Sequence, residues 1–307
     1  MRVIFLGTAA SRPTVKRNVS ALMLQREGES FLFDCGEGTQ RQMMRYGTGF
    51  SLNDIFFTHL HADHFLGVIG LLRTLGLQDR REPVELWCPA GTETILHDAV
   101  KLGVERVPFP VSVNGLEPEG TLDRGEFVIT PFQTQHGPRC LGYAVVEKDR
   151  LGRFEPERAR ALGVPEGPLW GRLHRGERVE VEGKTVEPSQ LVGPPRRGRK
   201  VVYTGDTRPS AGVVSAASHA DVLIHEATFT DRDAERARET LHATAREAAG
   251  VAKQAGAKAL YLTHISPRHA DDPRALEREA RELFSGAVAA YDGLVVEVPY
   301  SDEPLPD

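Results

Sequence analysis

The sequence predicts an α/β fold built on open sheets, and three observations carry that reading. Short apolar strand patterns alternate with helical patterns along most of the chain. Metal-ligand-type side chains recur just after those strands, where the loops of open α/β sheets carry function. One long stretch, about 147–199, breaks the rhythm and reads as an insertion. At 307 residues the chain is long for one domain, yet an elaborated α/β domain reaches that size, so 1–307 is read as a single domain carrying that insertion. Hydrophobic content of 40% and charged content of 26% are those of an ordinary globular protein.

Taken in order, strand patterns fall at 3–6, 20–24 and 30–34, with Gly28 marking the second and third as a hairpin. Between the first two lies a polar loop, 7–18, with three basic residues. A helix is expected over 40–46, a strand over 54–57, an apolar helix over 65–72, a strand over 84–88 and a helix over 91–102. Strands at 127–134 and 141–146 lead into the insertion. After it come strands at 200–203, 221–225 and 259–262, helices at 242–253 and 273–284, and closing strands at 287–290 and 294–298. The insertion is charged, rich in Pro and Gly and weakly periodic, which suggests a protruding arm with few apolar residues.

Charge and cysteine usage narrow the class. The net charge of −5 argues weakly against a nucleic-acid partner, but it is unevenly spread. Residues 150–200 hold twelve Lys and Arg against seven Glu, a local +5, which leaves −10 for the rest. Cys35, Cys88 and Cys140 are too few and too widely spaced for a disulfide framework or a zinc knuckle, and read as buried reduced thiols of a cytoplasmic protein. No apolar run approaches a membrane span, and the N-terminus reads as a first strand and not as a signal peptide.

The chemistry concentrates in Thr58-His59-Leu60-His61-Ala62-Asp63-His64, an H-x-H-x-D-H run between a strand and a helix. Imidazole nitrogen and carboxylate oxygen suit zinc, manganese or iron. His59 and His61 share a side in extended backbone, while Asp63 and His64 continue round the turn and can face a second ion. His136, Asp206 and His264 also follow strands, so seven ligand-type residues collect at strand ends. A pair of divalent ions needs a carboxylate bridge, a role that suits Asp206 in its Tyr-Thr-Gly-Asp-Thr turn, where Gly205 allows close backbone approach. Standing alone, His136 would read as a surface histidine, His264 as a core histidine and Asp206 as a turn cap.

These residues resemble the metallo-β-lactamase superfamily of dinuclear hydrolases and, within it, the ribonuclease Z (tRNase Z) family of tRNA 3′-processing endonucleases. The H-x-H-x-D-H run marks the superfamily. The narrower resemblance rests on Leu6-Gly7-Thr8 with Pro13 to Arg17-Asn18, then Asp34-Cys35-Gly36-Glu37-Gly38-Thr39-Gln40, His225-Glu226-Ala227-Thr228-Phe229, His242-Ala243-Thr244 and Leu262-Thr263-His264-Ile265-Ser266. It covers essentially the full length, the insertion with its Gly167-Pro168 included. It implies a four-layer αβ/βα sandwich and two Zn²⁺ per subunit, with Mn²⁺ or another divalent ion as an alternative. His59, His61 and His136 would take one ion, Asp63, His64 and His264 the other, and Asp206 would bridge. Asp63 would act as general base, and His242, oriented by Glu226, would protonate the leaving oxygen; a carboxylate partner fixes the tautomer such a histidine needs. The implied substrate is precursor tRNA, gripped by the basic arm, and the implied assembly is a homodimer. The family commonly has Ser where this chain has Ala243, which affects a secondary contact and spares the histidine.

Three rivals are weighed on the residues. A true β-lactamase commonly has cysteine at the position of Asp206 and works in the periplasm, whereas this chain has Asp and no export signal. A small-molecule or cyclic-nucleotide phosphodiesterase of the same fold would not need the basic arm. A non-catalytic RNA-binding relative would keep the arm and lose ligands, and all seven are present.

Overall fold

The structure, a computed structural model, describes residues 1–104, 106–269 and 272–301. The chain forms β1 (Arg2–Gly7), β2 (Ala21–Arg26), β3 (Glu29–Phe33), α1 (Thr39–Arg45), β4 (Asp54–Phe56), α2 (Ala62–Phe65), α3 (Gly67–Leu77), β5 (Val84–Pro89), α4 (Glu93–Lys101) and β6 (Val111–Leu116). Next come β7 (Leu122–Asp123), β8 (Phe127–Gln133), β9 (Leu141–Glu147), α5 (Pro156–Ala161), α6 (Pro168–His174), β10 (Val179–Val181) and β11 (Lys184–Val186). The rest comprises β12 (Lys200–Tyr203), α7 (Ala211–Ala216), β13 (Val222–Glu226), α8 (Ala234–Glu239), α9 (Ala245–Ala255), β14 (Leu260–Thr263), α10 (Arg274–Arg281), β15 (Ala287–Ala289) and β16 (Val295–Glu297). Two compact units result: Met1–Val146 with Lys200–Val298, and Glu147–Arg199 with the C-terminal stretch from Pro299.

The first unit holds two seven-stranded sheets, ordered β16-β1-β2-β3-β4-β5-β6 and β15-β14-β13-β12-β9-β8-β7. Strands have period two, so each strand here serves two apolar layers at once. Phe5, Leu24, Phe33 and Phe56 of the first sheet pack with Tyr143, Val201, Tyr203 and Ile224 of the second. Their chain neighbours Ile4, Met23, Leu32 and Ile55 face the other way, onto Val68, Leu71 and Leu72 of α3. Across the molecule Ala144, Val202 and Leu223 pack on Val213 of α7 and on Ala248, Ala249 and Ala252 of α9. The layers therefore run helix, sheet, sheet, helix. β3 to β6 pair in parallel, as do β12 to β15, so both sheets direct C-terminal strand ends and their loops toward one edge of the sandwich.

The structure departs from the sequence expectations in three places. First, β6, β7, α7 and α8 had no sequence signal: β6 carries Asn114 and Gly115 on a half-buried edge, and α8 buries only Ala237. Second, the helix expected from 242 begins at Ala245. Thr244 caps it, accepting from the Glu247 N–H at 3.2 Å while the Glu247 carboxylate accepts from the Thr244 N–H at 2.9 Å. His242 is thereby left in the loop before the helix. Third, the inserted segment has more structure than its composition suggested. Ala159, Val164, Leu173, Val179, Val186 and Leu191 form a small core beneath α5, α6 and the β10–β11 hairpin. Its two chain ends meet as an antiparallel bridge between Arg150 and Arg196, next to a buried ion pair of Arg199 with Glu147 at 2.7 Å. Tyr300 of the same unit has the Arg150 and Arg199 guanidinium groups at 4.0 and 3.7 Å from its ring centre. All three cysteines are buried and unpaired. Among the described residues, no helix is long and apolar enough to cross a membrane.

Phe33 lies between the sheets, 1% exposed and stacked on Phe56 with ring centres 5.2 Å apart. Phe33→Ala is expected to lower the unfolding free energy by about 3–5 kcal/mol, read from chemical denaturation of metal-stripped protein.

Candidate metal centre

The H-x-H-x-D-H run is positioned by the turn after β3. Cys35 donates its N–H to the His64 carbonyl at 2.6 Å and Gly67 donates to the Cys35 carbonyl at 2.8 Å, lashing the short α2 to that turn. Gly67 has no room for a side chain, because a Cβ there would stand 1.9 Å from the Gly36 carbonyl oxygen. On the opposite sheet Gly205, at φ +59°, brings the loop after β12 so close that a Cβ would lie 2.6 Å from the Thr58 side chain. These two approaches carry Asp206 to the histidines that follow β4.

Hydrogen bonding on the outer side of the cluster decides which ring nitrogens are bare on its inner side. The Thr58 hydroxyl donates its single proton to Asp34, at 3.0 and 3.1 Å, so it accepts from His59 Nδ1 at 3.0 Å. His64 Nδ1 donates to Asp34 at 2.8 Å, and His136 Nδ1 to the Leu241 carbonyl at 2.9 Å. The Thr228 hydroxyl donates to Glu226 at 2.7 Å and therefore accepts from His264 Nδ1 at 2.9 Å. With those protons assigned, the inner Nε2 atoms of His59, His64, His136 and His264 are the ring positions left to bind a cation or carry a second proton. His61 Nδ1 lies 2.9 Å from His59 Nε2 and 3.4 Å from His136 Nε2. His264 Nε2 and His64 Nε2 lie 3.3 and 3.7 Å from Asp63 Oδ2. One atom, Asp206 Oδ2, stands 3.4–3.7 Å from His264, His64, His59 and His136. Lone pairs turned on one another repel unless a cation lies between them.

Two ligand groups follow, each with its donor atoms within 4.8 Å of one another: His59, His61, His136 and Asp206, and then Asp63, His64 and His264. Nitrogen and carboxylate oxygen donors suit a zinc-type divalent ion. The second oxygen of Asp206 is buried without a hydrogen-bond partner, which also fits cation binding. Asp206, His242 and His264 form a third such group, but His242 Nδ1 is already taken by Glu226 at 2.8 Å. The structure thus brings all seven sequence-expected ligand residues to one place.

Without the ions, ring protons supply the positive charge that the carboxylates need. Burial pushes the Asp206 carboxyl up, but His264 and His64 outweigh it and hold the pKa well below the usual carboxylate range. Asp63 behaves likewise: burial opposes ionisation, and the hydrogen bond with His264 and the charges of His64 and His264 overcome it. Its Oδ2 also accepts the Ser11 N–H at 2.6 Å. Burial would discharge His64, yet Asp206 and Asp34 raise its pKa well above the imidazole range. His59, with burial and His64 against it, falls well below. Backbone strain concentrates here too: Ser11, Asp34, Leu241 and His264 all have φ between 54° and 61° without being glycine.

Beside the ligand groups sits the pair His242 and Glu226. Glu226 is fully buried and receives five donors: His242 Nδ1 and the Thr207 N–H at 2.8 Å on Oε1, and the Thr228 hydroxyl at 2.7 Å, the Ala243 N–H at 3.0 Å and the Thr228 N–H at 3.3 Å on Oε2. Burial raises its pKa, but the charge and hydrogen bond of His242 bring it below the ordinary value. Burial lowers the pKa of His242, while the charge and hydrogen bond of Glu226 more than compensate and push it up to about 9. The Glu226 bond takes Nδ1–H, so the second proton resides on Nε2.

Sequence reasoning gave no role to Asp34, Thr58, Tyr203, Thr228 or the Ser11 N–H. Asp34 lay inside a quoted motif, and Thr58 and Thr228 stand next to or two residues from assigned residues. Asp34, Thr58 and Thr228 fix tautomers, and Tyr203 and the Ser11 N–H hold carboxylates; both depend on contacts across the fold that spacing does not encode.

The comparisons with known proteins agree with this geometry. Residues 14–264 match the model of the metallo-beta-lactamase superfamily. The chain is 56% identical over 304 residues to ribonuclease Z of Gemmatimonas aurantiaca, covering 98% of this chain and 97% of that protein. It is 52% identical over 304 residues to ribonuclease Z of Myxococcus xanthus, covering 98% and 99%. The crystal structure of human tRNase Z, short form, superposes with a TM-score of 0.71 at 30% identity, covering 97% of this chain and all of that one. Full-length similarity of this degree, on a fold that gathers seven ligand-type residues at one sandwich edge, places the chain in the ribonuclease Z family of the metallo-β-lactamase superfamily.

Proposed function

We propose that this protein is a metal-dependent endoribonuclease that removes the 3′ trailer of precursor tRNA and leaves a 3′-hydroxyl on the tRNA. The observation that carries this reading is the His242–Glu226 pair set against two ligand groups that share Asp206 Oδ2. The names of the relatives, ribonuclease Z and tRNase Z, support the substrate class. His59, His61 and His136 would hold one divalent ion, Asp63, His64 and His264 the second, and Asp206 both, with zinc preferred by the donor set and manganese an alternative. When bound, such ions supply Lewis acidity and lower the pKa of coordinated water toward neutrality.

The chain's own groups handle the protons. Asp63 is held ionised and oriented by the Ser11 N–H, ready to accept a proton from the attacking water. Attack on the phosphorus breaks its bond to the 3′ oxygen, which leaves as the tRNA hydroxyl while the trailer keeps the phosphate. His242 Nε2 donates the proton that oxygen needs, and Glu226 holds the resulting ring in place. The inserted segment, with its excess of basic over acidic side chains, grips tRNA phosphates. The working form is a cytoplasmic homodimer.

Protein purified without chelator and loaded with zinc is expected to bind two ions per chain by elemental analysis, and saturation at one would remove the dinuclear reading. Asp206→Ala is expected to lose both affinities together, since one oxygen faces both groups.

His242→Ala is expected to bind metal and tRNA nearly normally and to cleave precursor tRNA about 10²–10⁴-fold more slowly. A diester with an acidic leaving group needs little protonation and should lose less. An acid works only while protonated, so cleavage should fall as pH rises through the His242 pKa. That pKa is about 9 in the metal-free protein, and neighbouring cations lower it. The alkaline limb of the tRNA rate profile is therefore expected at or below about pH 9, and it should be absent with the activated diester.

Because Arg150 and Arg196 are bridge partners, residues 151–195 can be replaced by a short Gly-Ser link without pulling the ends apart. That deletion should spare metal content and hydrolysis of a small diester, weaken binding of precursor tRNA and flatten its salt dependence. In a dimer whose arm serves the neighbouring site, mixing deleted chains with His242→Ala chains should restore cleavage. Undiminished tRNA processing by the deletion alone would refute the arm's role.

A further inference from the structure

The loop that carries Asp206 also carries Arg208, which no part of the proposed chemistry uses. Its guanidinium reaches the loop that carries His242. Arg208 Nη1 donates to the His242 carbonyl at 2.6 Å and to Glu247 at 2.6 Å, and Nη2 makes a further short bond to the other Glu247 oxygen. Glu247 is the residue that closes the capping box with Thr244 at the start of α9. A single planar fork thus joins the backbone of the candidate acid to the helix that begins three residues later. Arg208 is itself anchored from a third side, since its N–H donates to the Gln135 carbonyl at 3.0 Å, beside His136.

The His242 loop needs such an anchor. Leu241 sits at φ +58°, a conformation costly for a branched apolar residue, while its carbonyl holds His136. His242 is fixed through its N–H, given to the Ala237 carbonyl at 2.8 Å, through its ring on Glu226, and through its carbonyl on Arg208. The last ties its backbone directly to the loop of the bridging carboxylate, which Glu226 also reaches by accepting the Thr207 N–H. The charge of Arg208 is matched by Glu247, so the guanidinium can orient His242 without discouraging its protonation.

We infer that Arg208, braced by Glu247, is a positioning residue that sets the His242 imidazole against the leaving oxygen and links the acid loop to the metal loop. The inference rests on the general-acid reading of His242. Removing the fork should loosen 240–244 and slow the step that needs the acid, leaving metal binding in place.

The test uses zinc-loaded full-length Arg208→Ala and Arg208→Lys proteins, with precursor tRNA carrying a 3′ trailer and with bis(p-nitrophenyl) phosphate. For Arg208→Ala, kcat on precursor tRNA is expected to fall about 10–100-fold with KM little changed, a fraction of the general-acid contribution. Loss on the activated diester should stay within about 3-fold, and zinc should remain at the wild-type stoichiometry. Arg208→Lys, a point charge without the fork, should fall between the two. Adding Arg208→Ala to His242→Ala should cost nothing further, because one acts through the other. Independently of activity, amide exchange in Arg208→Ala should quicken over 240–244 and stay unchanged in β12–β14. Equal losses on both substrates, additive losses with His242→Ala, or unchanged exchange over 240–244 would each overturn the inference. A wild-type protein that cleaves the diester and leaves precursor tRNA intact would instead overturn the functional reading, and the exchange measurement would still decide whether Arg208 holds the loop.

Discussion

Everything in the site depends on how buried negative charge is neutralised. Asp34, Asp206 and Glu226 are almost wholly removed from water, and Asp63 is largely so. An ionised carboxylate in such a place costs several kcal/mol unless cations or several donors face it. The protein solves this in two ways. Asp34 and Glu226 are saturated with hydrogen bonds, Asp34 from the Thr58 N–H and hydroxyl, His64 and Tyr203, and Glu226 from its five donors. Asp206 and Asp63 instead turn toward the inner nitrogens of the imidazoles, an arrangement that calls for positive charge between them.

The saturated carboxylates organise the others. Asp34 follows a strand of the first sheet, and Tyr203 ends a strand of the second; their 2.8 Å bond stitches the sheets together directly beneath the cluster. Through Thr58 and His64 the same carboxylate dictates which nitrogen of two rings faces the cluster. Glu226 does the equivalent on the far side, through His242 and, by way of Thr228, His264. Two hydrogen-bonded anions thus set the donor faces of four histidines. The left-handed backbone at Ser11, Asp34, Leu241 and His264 is tolerated because the surrounding bonds over-determine those positions.

The inserted unit follows different physics. It has a core of six aliphatic side chains with Phe154 and Trp170 packed against them, and it is closed by the Arg199–Glu147 pair and the Arg150–Arg196 bridge. Several of its arginines meet glutamates within the unit, as Arg160 does with Glu157 at 2.6 Å and Arg172 with Glu177 at 2.9 Å. Such exposed pairs contribute little stability, and they leave the net positive charge of the segment unchanged.

Much of this protein was determined by the sequence alone. Unbroken apolar runs such as Val3–Leu6 and Val201–Tyr203 mark strands covered on both faces, and the short spacing of His59, His61, Asp63 and His64 places four donors on one strand-to-helix turn. Both are local properties, so they survive being read one residue at a time. The four-layer architecture, the pairing of His242 with Glu226 and the roles suggested for both came from family resemblance, and the structure supplies their contacts. Tertiary structure decided the rest. Nothing in the spacing shows that Asp34 would lie beneath residues 58–64 and Tyr203, that Thr228 would sit between Glu226 and His264, or that Arg208 would grip the His242 carbonyl. The start of α9 at Ala245, which frees His242 from the helix, was decided by one capping box, and the folded insertion by six scattered aliphatic residues. Protonation and orientation at a buried site are set by the nearest donors in space, and only the packed fold determines which residues those are.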